Sequence, residues 1–290
     1  MRAVWLRQFG PPSNLVLGDA PNIKRDSPSL SLIDVAYANI TFVETQIRAG
    51  NGPFPVNLPM IPGNGVGGWL DGRRVVASLN GSGGYAEQAA GGEVFEVPDG
   101  LALDDAVALL ADGRTATLLT DAAAIQPGER VLILAAAGGV GTLLTQLALR
   151  AGAEVTGAAS HFKHDVVTSL GATATNYELK RPGRSSLVFD GVGGEVARRA
   201  FEALEPGGRM LSYGLASGAW ADISAEEAGA RDVTLVRAGR PTREHTERAL
   251  RSGLRPVIGQ RFALEEAAAA HAAIEARATT GKTLLVVQGE

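Results

Sequence analysis

The alternation of apolar and polar residues divides the chain into two regions of different periodicity. In the first 105 residues, short apolar runs are separated by proline and glycine clusters, which predicts a β-rich region with a barrel-like or partly open sheet. The strands are predicted at 3–6, 15–17, 32–38, 74–78 and 94–97. Asp71 and Gly72 separate two strand-like stretches within 65–78, which predicts a two-residue hairpin.

From about residue 104, strands alternate with helices. Residues 131–141 read VLILAAAGGVG, a buried strand that runs into a glycine-rich loop, and a helix over 142–151 and a second strand over 154–157 follow. A strand over 187–190, a helix over 194–204, a turn at Pro206-Gly207-Gly208 and a strand over 209–213 repeat the rhythm. This alternation predicts an α/β fold with a doubly wound parallel sheet of the Rossmann type.

The end of the chain adds two elements. The alanine-rich residues 263–276 predict a helix, and residues 283–287 predict a last strand that returns to the first region. We therefore expect one domain formed by 1–105 and completed by 253–290. A second domain over 106–252 interrupts the first.

The glycine-rich loop is the strongest candidate for a binding site. It follows the G-x-G-x-x-G pattern with Ala136 in place of the first glycine, and it opens a helix directly after a strand. Backbone N–H groups at such a helix start bind anions. The pattern predicts a dinucleotide pyrophosphate on Ala137, Gly138, Gly139, Val140 and Gly141, and the alternative is an ordinary tight turn.

Composition narrows the partners. The chain has 290 residues, 45% of them hydrophobic, with a mean hydropathy of +0.07, which predicts a soluble protein large enough for two domains. We expect a cytoplasmic location, because no apolar run approaches eighteen residues and no signal segment precedes the first strand. A net charge of −4 and a pI near 5.7 favour small-molecule partners over nucleic acid or membranes.

The chain contains no cysteine, which excludes disulfides, thiol nucleophiles and thiolate zinc ligands. The four histidines are His161 and His164 on one helix face, His245 in a polar helix and His271 in the alanine-rich helix. We predict no metal site, because no further ligands converge on them.

Charge at the end of the second Rossmann strand indicates the cofactor. An NAD site places a carboxylate there, on the ribose hydroxyls. Here Glu154 lies at the start of the strand, whereas Ser160 and Lys163 follow its end. A hydroxyl and an ammonium stabilise a 2′-phosphate, so the sequence favours NADPH.

Several stretches together resemble the zinc-free quinone oxidoreductases of the medium-chain dehydrogenase/reductase family, the branch that includes zeta-crystallin. The matching stretches are MRAVWLRQFGPPSNLVL, ASLNGSGGYAEQAA, IQPGERVLILAAAGGVGTLLTQLALRAGAEV, FDGVGG, LEPGGRMLSYGLASG, LRPVIGQRFALEEAAAAH and TTGKTLLVV. They cover almost the whole chain. The resemblance implies a GroES-like catalytic domain interrupted by a Rossmann domain, with the active cleft between them.

The same resemblance bears on zinc. Zinc-using relatives place a cysteine ligand near residues 39–41 and a His-Glu pair in a PGHE motif. This chain has Asn39-Ile40-Thr41 and Pro62-Gly63-Asn64-Gly65 at those places. The resemblance therefore implies hydride transfer without a metal Lewis acid.

Further residue roles follow from the resemblance. It places Ser160 and Lys163 on the 2′-phosphate and Tyr177 beside the adenine ribose. It places Asp190, Val192, Tyr213, Gly214, Thr115 and Lys282 around the nicotinamide. The structural alternatives are a solvated lysine at 163, a packing tyrosine at 177 and a helix-start hydroxyl at 115.

The proton donor is less clearly marked. The family position usually held by asparagine is Thr41 here, and the tyrosine of GxYP segments is absent from GNGPFP at 50–55. Thr41 is the candidate catalytic residue, as a hydrogen-bond donor to a substrate carbonyl, although threonine is also common in strands for packing alone. A hydroquinone anion takes its proton from water, so we expect quinones or α,β-unsaturated ketones as acceptors.

Two other functions stay open from the sequence. One is a reductase of polyketide-type enones or enoyl thioesters, and the other is an NADPH-binding protein without turnover. The family suggests a homodimer through Rossmann sheet edges, with the strand around 234–236 as contributor.

The sequence also predicts shortened surface elements. The nine residues between Tyr177 and Leu187 must cross from the third strand to the fourth, which reduces the usual helix to a turn or loop. The segment 27–32 is shortened as well.

Overall fold

The computed structural model describes residues 1–24, 31–179 and 185–288. The strands are β1 (Arg2–Leu6), β2 (Leu15–Asp19), β3 (Ser31–Ile40), β4 (Gly65–Leu70), β5 (Arg73–Ser78), β6 (Gln88–Gly91), β7 (Glu93–Glu96), β8 (Arg130–Leu134), β9 (Glu154–Ala158), β10 (Thr173–Thr175), β11 (Ser185–Asp190), β12 (Leu204–Ser212), β13 (Thr234–Leu235), β14 (Ile258–Ala263) and β15 (Lys282–Val286). The helices are α1 (Phe42–Ala49), α2 (Leu103–Ala108), α3 (Arg114–Ala123), α4 (Gly139–Arg150), α5 (His164–Ser169), α6 (Gly194–Glu202), α7 (Ala225–Ala230), α8 (Arg243–Arg251) and α9 (Ala267–Glu275).

Contacts between Cα atoms divide the chain into two compact units. Unit 1 contains Met1–Ala111 and Ala249–Glu290, and unit 2 contains Asp112–Arg248. None of the helices in the described ranges has the length and apolar character needed to cross a lipid bilayer.

Unit 1 is built on a β-rich sheet with the strand order β14-β15-β3-β4-β5-β7, and β6 also pairs with β3. Strands β1 and β2 form a separate antiparallel pair. The inward residues of β3, Ile33, Val35 and Ala38, pack in one core with Val66 and Leu285. This alternation is the reason that the first region reads as half-buried strands.

The predicted hairpin at Asp71-Gly72 is confirmed. Leu70 pairs with Arg73 across the turn, and both turn residues have positive φ, 49° for Asp71 and 79° for Gly72. Positive φ at both central positions is the type I′ geometry, which matches the twist of the two strands.

The last strand joins the sheet of the first region. Strand β15 runs antiparallel to β3, with Thr283 opposite Ile40, and β14 runs parallel to β15. The prediction of a tail strand is therefore confirmed. The helix predicted over 263–276 is shorter, because Ala263 still pairs with Val286 and a 3₁₀ turn, Leu264–Glu266, precedes α9.

Unit 2 contains the predicted Rossmann sheet. Its strand order is β10-β9-β8-β11-β12-β13, and every pair is parallel. This is the doubly wound order, in which the chain reverses direction across the sheet beside β8. The fold class is therefore confirmed for both regions.

Two boundaries in unit 2 differ from the sequence prediction. Helix α4 begins at Gly139, three residues earlier than expected, so Gly139 and Gly141 belong to the helix and not to the loop. The Pro206-Gly207-Gly208 turn is an irregularity within β12, since the register shifts between the Ser185–Leu204 and Leu187–Arg209 pairs. Backbone pairing on both sides of the turn extends the strand through it.

Other expectations rest on segments at the edges of this sheet. Residues 176–179, the start of the predicted crossing, form no helix, and residues 180–184 lie outside the described residues. Most of the segment predicted as shortened, 27–30, also lies outside them. Strand β13 is one of the two edge strands of the sheet as described, and a homodimer through it stays a prediction.

A buried histidine pairs with a buried tyrosine in unit 1. The Tyr85 hydroxyl lies 2.9 Å from Nε2 of His271, and both side chains are fully buried. Burial raises the pKa of Tyr85 well above its usual value, so the phenol stays protonated. Its O–H donates a hydrogen bond to Nε2 of His271. His271 then carries its own proton on Nδ1, which has no partner among the described residues.

This arrangement keeps His271 neutral. Burial, and then the charge of nearby Arg48, lowers the pKa of His271 from 6.5 to about 3. Protonation in the folded protein would place a second cation beside Arg48 with no water to solvate it.

We predict that His271 makes the folded protein acid-sensitive. In the unfolded chain His271 is protonated below about pH 6.5, whereas in the folded protein it is protonated only below about pH 3. The free energy of unfolding therefore decreases as the pH falls between these two values. The contribution amounts to about 2–3 kcal/mol between about pH 7.5 and 4.5. His271→Gln, which can still accept from Tyr85, removes this part of the pH dependence in urea unfolding.

The matched control is His161→Gln, a substitution of an exposed histidine. If His271→Gln and the unchanged protein lose the same stability between the two pH values, His271 is not the group responsible.

Candidate functional site

The predicted cofactor residues of unit 2 lie at one edge of its parallel sheet. Strands β8, β9, β11 and β12 are neighbours and parallel, so their carboxyl ends meet at the same edge. The predicted residues at these ends, at that of β10, or shortly after them are Ala137, Gly138, Gly139, Val140, Gly141, Ser160, Lys163, Tyr177, Asp190, Val192, Tyr213 and Gly214. Ligands of doubly wound sheets bind at this edge.

The loop between β8 and α4 is fixed by backbone hydrogen bonds. The Ala136 N–H donates to the Ala158 carbonyl at 3.0 Å, which ties the loop to the end of β9. The Gly138 N–H donates to the Ala135 carbonyl at 2.9 Å, and Ala135 has a positive φ of 54°. The Gly138 amide, predicted to bind a ligand, is therefore already engaged, and Ala137 is buried.

The first turn of α4 is open toward an anion. Gly139, Val140 and Gly141 are its first three residues, and their N–H groups have no acceptor within the helix. The N-cap residue is Gly138, which has no side chain to accept from them, and the first turn carries no acidic residue. The amides and the helix dipole therefore favour a negatively charged ligand.

Close packing explains the glycines of this turn. A Cβ at Gly141 would lie 2.2 Å from the Ala135 carbonyl oxygen, so the helix can start this close to the strand only without a side chain. A Cβ at Gly157 would lie 2.7 Å from the Ala136 methyl. The absence of a side chain at Gly157 therefore makes room for Ala136, the residue that departs from the glycine pattern.

The end of β9 presents a hydroxyl and an ammonium. Ser160 follows the strand and precedes a 3₁₀ turn, His161–Lys163, and both Ser160 and Lys163 are half-buried. The Lys163 Nζ lies 5.1 Å from the centre of the Phe162 ring. Glu154 lies at the opposite end of the strand, as predicted.

Tyr177 follows β10, and the β10 end is held to β9 by the Ala159 N–H, which donates to the Thr175 carbonyl at 3.0 Å. Its side chain is half-buried and packs against the core cluster that includes Leu132 and Ala158. Tyr177 therefore packs against the core, as the structural alternative predicted. It also lies at the carboxyl edge of the sheet, where the cofactor role requires it to be.

Asp190 uses its carboxylate inside the protein. One oxygen, Oδ1, accepts from the Val192 and Gly193 N–H groups at 2.8 Å, and Oδ2 accepts from the Ser212 hydroxyl at 2.9 Å. Burial raises the pKa of Asp190, whereas these three hydrogen bonds lower it. The side chain therefore fixes the turn that starts with Gly191 and joins β11 to α6, and it ties this turn to the end of β12 through Ser212.

Tyr213 packs against that turn. A Cβ at Gly191 would lie 2.7 Å from the Tyr213 hydroxyl oxygen, and a Cβ at Gly214 would lie 2.8 Å from the Gly191 carbonyl oxygen. Burial, and then the charges of Asp190 and Asp112, raises the pKa of Tyr213 well above its usual value. Tyr213 is therefore a poor proton donor, and the small residues here have an internal packing reason.

Thr115 is the second residue of α3, which follows a π-helical turn, Leu109–Gly113. Such turns are rare and are frequently found at functional sites. The turn carries Asp112, whose charge reaches Tyr213 and which the sequence did not single out. The sequence signal that could have identified Asp112 is the Asp112-Gly113 pair directly before α3.

In unit 1, Thr41 is the N-cap residue of α1 and lies just after β3, not within a strand. Its N–H donates to Glu44 Oε2, and the Asn64 N–H donates to Glu44 Oε1 at 2.7 Å. Burial raises the pKa of Glu44, and the hydrogen bonds and the charge of Lys282 lower it. Lys282, predicted near the nicotinamide, is 3% exposed and lies at the start of β15.

Sequence reasoning missed Glu44. The Thr-x-x-Glu spacing of Thr41 and Glu44 is a helix capping pattern and was its available signal. Thr41 therefore has a structural role at the start of α1, in addition to the catalytic role predicted for its hydroxyl.

Comparisons with known proteins agree with this architecture. A family model described as zinc-binding dehydrogenase matches residues 162–285. A probable quinone oxidoreductase of Schizosaccharomyces pombe is 32% identical over 313 residues, covering 95% of this chain and 94% of the relative. A 2-haloacrylate reductase of a Burkholderia species is 29% identical over 334 residues, covering 99% of each.

A solved structure has the same fold. The quinone oxidoreductase of Thermus thermophilus, solved also in complex with NADPH, superposes with a TM-score of 0.85 at 30% identity, covering 99% of this chain and 100% of that chain. A doubly wound sheet with a glycine-rich helix start at its carboxyl edge defines a dinucleotide-binding class of protein. The chain belongs to the zeta-crystallin-like quinone oxidoreductase branch of the medium-chain dehydrogenase/reductase family, so it is an oxidoreductase, and the predicted resemblance is confirmed.

The donor set does not fit the zinc ion in the family model's description. The whole chain lacks cysteine. No group of three or more His, Asp or Glu side chains placed to hold a metal occurs within residues 1–24, 31–179 and 185–288. Asn64, at the place of the zinc-using PGHE motif, instead accepts from the Gly81 N–H through its side chain.

We predict that Gly141→Ala abolishes tight nucleotide binding. The new methyl would overlap the Ala135 carbonyl and displace the first turn of α4, so its amides lose their alignment. We expect affinity to fall more than about tenfold and stability to fall by about 1–3 kcal/mol. Isothermal calorimetry and urea unfolding measure the two effects.

Gly229→Ala in α7 is the matched control, because a Cβ there meets no atom within 4 Å. We expect it to leave binding unchanged and stability equal or slightly higher. Normal binding by Gly141→Ala would contradict the role given to this helix start.

Proposed function

We propose that this protein is an NADPH-dependent oxidoreductase that transfers hydride to a quinone or an α,β-unsaturated ketone without a metal ion. The observation that carries the proposal is the open first turn of α4 beside Ser160 and Lys163, with no carboxylate at the end of β9. Solved relatives in complex with NADPH support the choice of cofactor.

Different residues bind different parts of the cofactor. The amides of Gly139, Val140 and Gly141 bind the diphosphate, and Lys163 and Ser160 bind the 2′-phosphate. Tyr177 lies by the adenine ribose, and Asp190 holds the turn of Val192 in place through its three hydrogen bonds. Thr115, Tyr213, Gly214 and Lys282 keep their proposed places around the nicotinamide.

NADPH, when bound, supplies the hydride. The protein then has to orient the acceptor and exclude competing reactions. Thr41 orients the acceptor carbonyl through its hydroxyl, and its backbone N–H, which donates to Glu44 Oε2, holds the residue in place. The proton comes from water in the case of a quinone, because the hydroquinone anion is delocalised.

The donor set supports a reaction without zinc. The chain lacks cysteine, and Asn64 stands where zinc-using relatives have a ligand and is engaged with the Gly81 amide. Hydride acceptors with a conjugated carbonyl suit such a site, because the conjugation itself spreads the developing charge.

The Burkholderia relative favours a second candidate within the same chemistry. Its name gives a 2-haloacrylate, which is an α,β-unsaturated carboxylate, as the compound that it reduces. Conjugated enones and enoyl thioesters accept hydride in the same way at their β-carbon. They are therefore tested together with quinones.

We predict that Lys163→Ala weakens NADPH binding by roughly fivefold to thirtyfold and leaves NADH binding unchanged, because the ammonium meets the 2′-phosphate that NADH lacks. Calorimetric titrations with each nucleotide measure the two dissociation constants. Lys24→Ala, at an exposed lysine of unit 1, is the control and should change neither. An unchanged ratio of the two constants in Lys163→Ala would refute the phosphate assignment.

We predict that the protein consumes NADPH with quinones and with conjugated ketones, followed by loss of the reduced nicotinamide absorbance. Thr41→Ala should lower kcat for ketones by roughly tenfold or more and affect quinones less, because the hydroquinone anion is delocalised and depends less on a hydrogen bond to its oxygen. Thr41→Ser retains the hydroxyl and should retain the rate. Melting curves correct for the loss of the helix cap, worth about 1 kcal/mol.

Turnover with enoyl thioesters alone would replace the proposed acceptor by the second candidate. Tight NADPH binding with no oxidation by any acceptor would favour a binding protein without turnover.

A further inference from the structure

The end of β9 carries more basic side chains than a phosphate site of one serine and one lysine requires. His161, Lys163 and His164 occur within four residues directly after Ser160. Two of these three side chains, the imidazoles, change charge near neutral pH when unperturbed. The proposed function uses Lys163 and leaves both histidines unexplained.

A hydrogen bond and a ring contact hold the imidazoles of His161 and His164 in place. His164 is half-buried, and its Nε2 lies 3.2 Å from the Ala159 carbonyl oxygen at the end of β9. The His161 ring packs edge-on against the His164 ring, with 5.1 Å between centroids and an interplanar angle of 75°. His164 is therefore anchored to the strand and supports the ring of His161.

His161 is available to a ligand. It is exposed, and within the described part of the chain its ring makes the contact with His164 and no hydrogen bond. It belongs to the same 3₁₀ turn as Lys163, beside the proposed position of the 2′-phosphate. One ring nitrogen of His161 can therefore donate to an anion bound there.

The neighbouring charges are few. On α5 the next charged residue is Asp165, which is exposed, and after β10 it is Glu178. The loop and first turn of α4, which lie at the same edge, carry no charged side chain. Lys180, Arg181 and Arg184 lie outside the described residues. Among the described residues, the basic side chains of the turn thus outnumber the acidic ones around it.

We propose that His161 is a second and titratable cation for the 2′-phosphate, so that the preference for NADPH over NADH depends on pH. The inference rests on the proposed function, because it needs the phosphate to lie at the end of β9. His161 acts here as a specificity-determining residue, and His164 acts as a positioning residue that holds its ring.

The expected proton linkage has a definite sign. A bound phosphate dianion stabilises the imidazolium, so NADPH binding is accompanied by proton uptake onto His161. Affinity for NADPH then decreases as the pH rises and the imidazolium is lost. NADH has no phosphate at this position, so its binding shows neither effect.

The test measures proton uptake and affinity in one calorimetric series. NADPH and NADH are titrated into the unchanged protein, His161→Gln and His161→Arg at about pH 6.5 and 8.5, above the phosphate's own pKa of about 6. Repeating the titrations in buffers of different ionisation enthalpy gives the number of protons bound. His245→Gln, at a histidine hydrogen bonded to Thr242 in α8, is the matched control.

In the unchanged protein and in His245→Gln, we expect NADPH affinity to fall roughly threefold to tenfold between the two pH values, with proton uptake on binding. His161→Gln should show the weaker affinity at both pH values and lose most of the uptake. His161→Arg should keep the stronger affinity at both, because its charge is permanent.

Equal pH dependence and equal proton uptake in the unchanged protein and His161→Gln would overturn this inference, and a retained preference for NADPH would leave the proposed function standing. Absence of any NADPH preference in the unchanged protein at either pH would overturn both. Calorimetry reports binding directly, so neither result depends on the choice of hydride acceptor.

Discussion

The first turn of α4 sets the requirements for the rest of the site. A helix start leaves peptide N–H groups without acceptors, and most helices supply one from a serine, threonine or aspartate side chain. Here the residues between β8 and the first turn are alanine and glycine, so the protein itself provides no such side chain. The glycines at 141 and 157, and the absence of a carboxylate at the end of β9, all serve to keep this start close to the sheet and open to an anion.

A second theme is that several residues expected to touch a ligand are first needed by the protein. Asp190 satisfies two backbone amides and one hydroxyl, and Tyr213 packs against Gly191. Thr41 begins α1 and binds Glu44. These side chains shape turns whose backbone is then available to a ligand, so their substitution would disturb structure and binding together. A readout that separates the two is needed wherever such residues are changed.

The sequence predicted the features that depend on local pattern. The Asp71-Gly72 hairpin, the strand before the glycine-rich loop and the alternation of strands and helices in unit 2 all follow from short-range periodicity and turn chemistry. It failed where long-range pairing decides the outcome. Leu204 pairs with Ser185 and draws the Pro206-Gly207-Gly208 turn into β12, and the Gly138 amide is taken up by Ala135.

The candidate site shows the same division. The pattern identified the α4 helix start and the basic turn after β9, because both lie within one βαβ unit. It did not identify Asp112 beside Tyr213, since these residues are about a hundred positions apart and meet only in the folded unit 2.

The pairing of β15 with β3 has a consequence for synthesis of the chain. Thr283 lies opposite Ile40, and His271 is the partner of Tyr85, so the N-terminal sheet and its core wait for segments that are synthesised after residues 112–248. Residues 112–248 form a contiguous unit that is complete before then. During translation, the nascent N-terminal region therefore exposes an unpaired edge of β3 and an unsatisfied Tyr85, which makes it the part of the chain most in need of protection from aggregation.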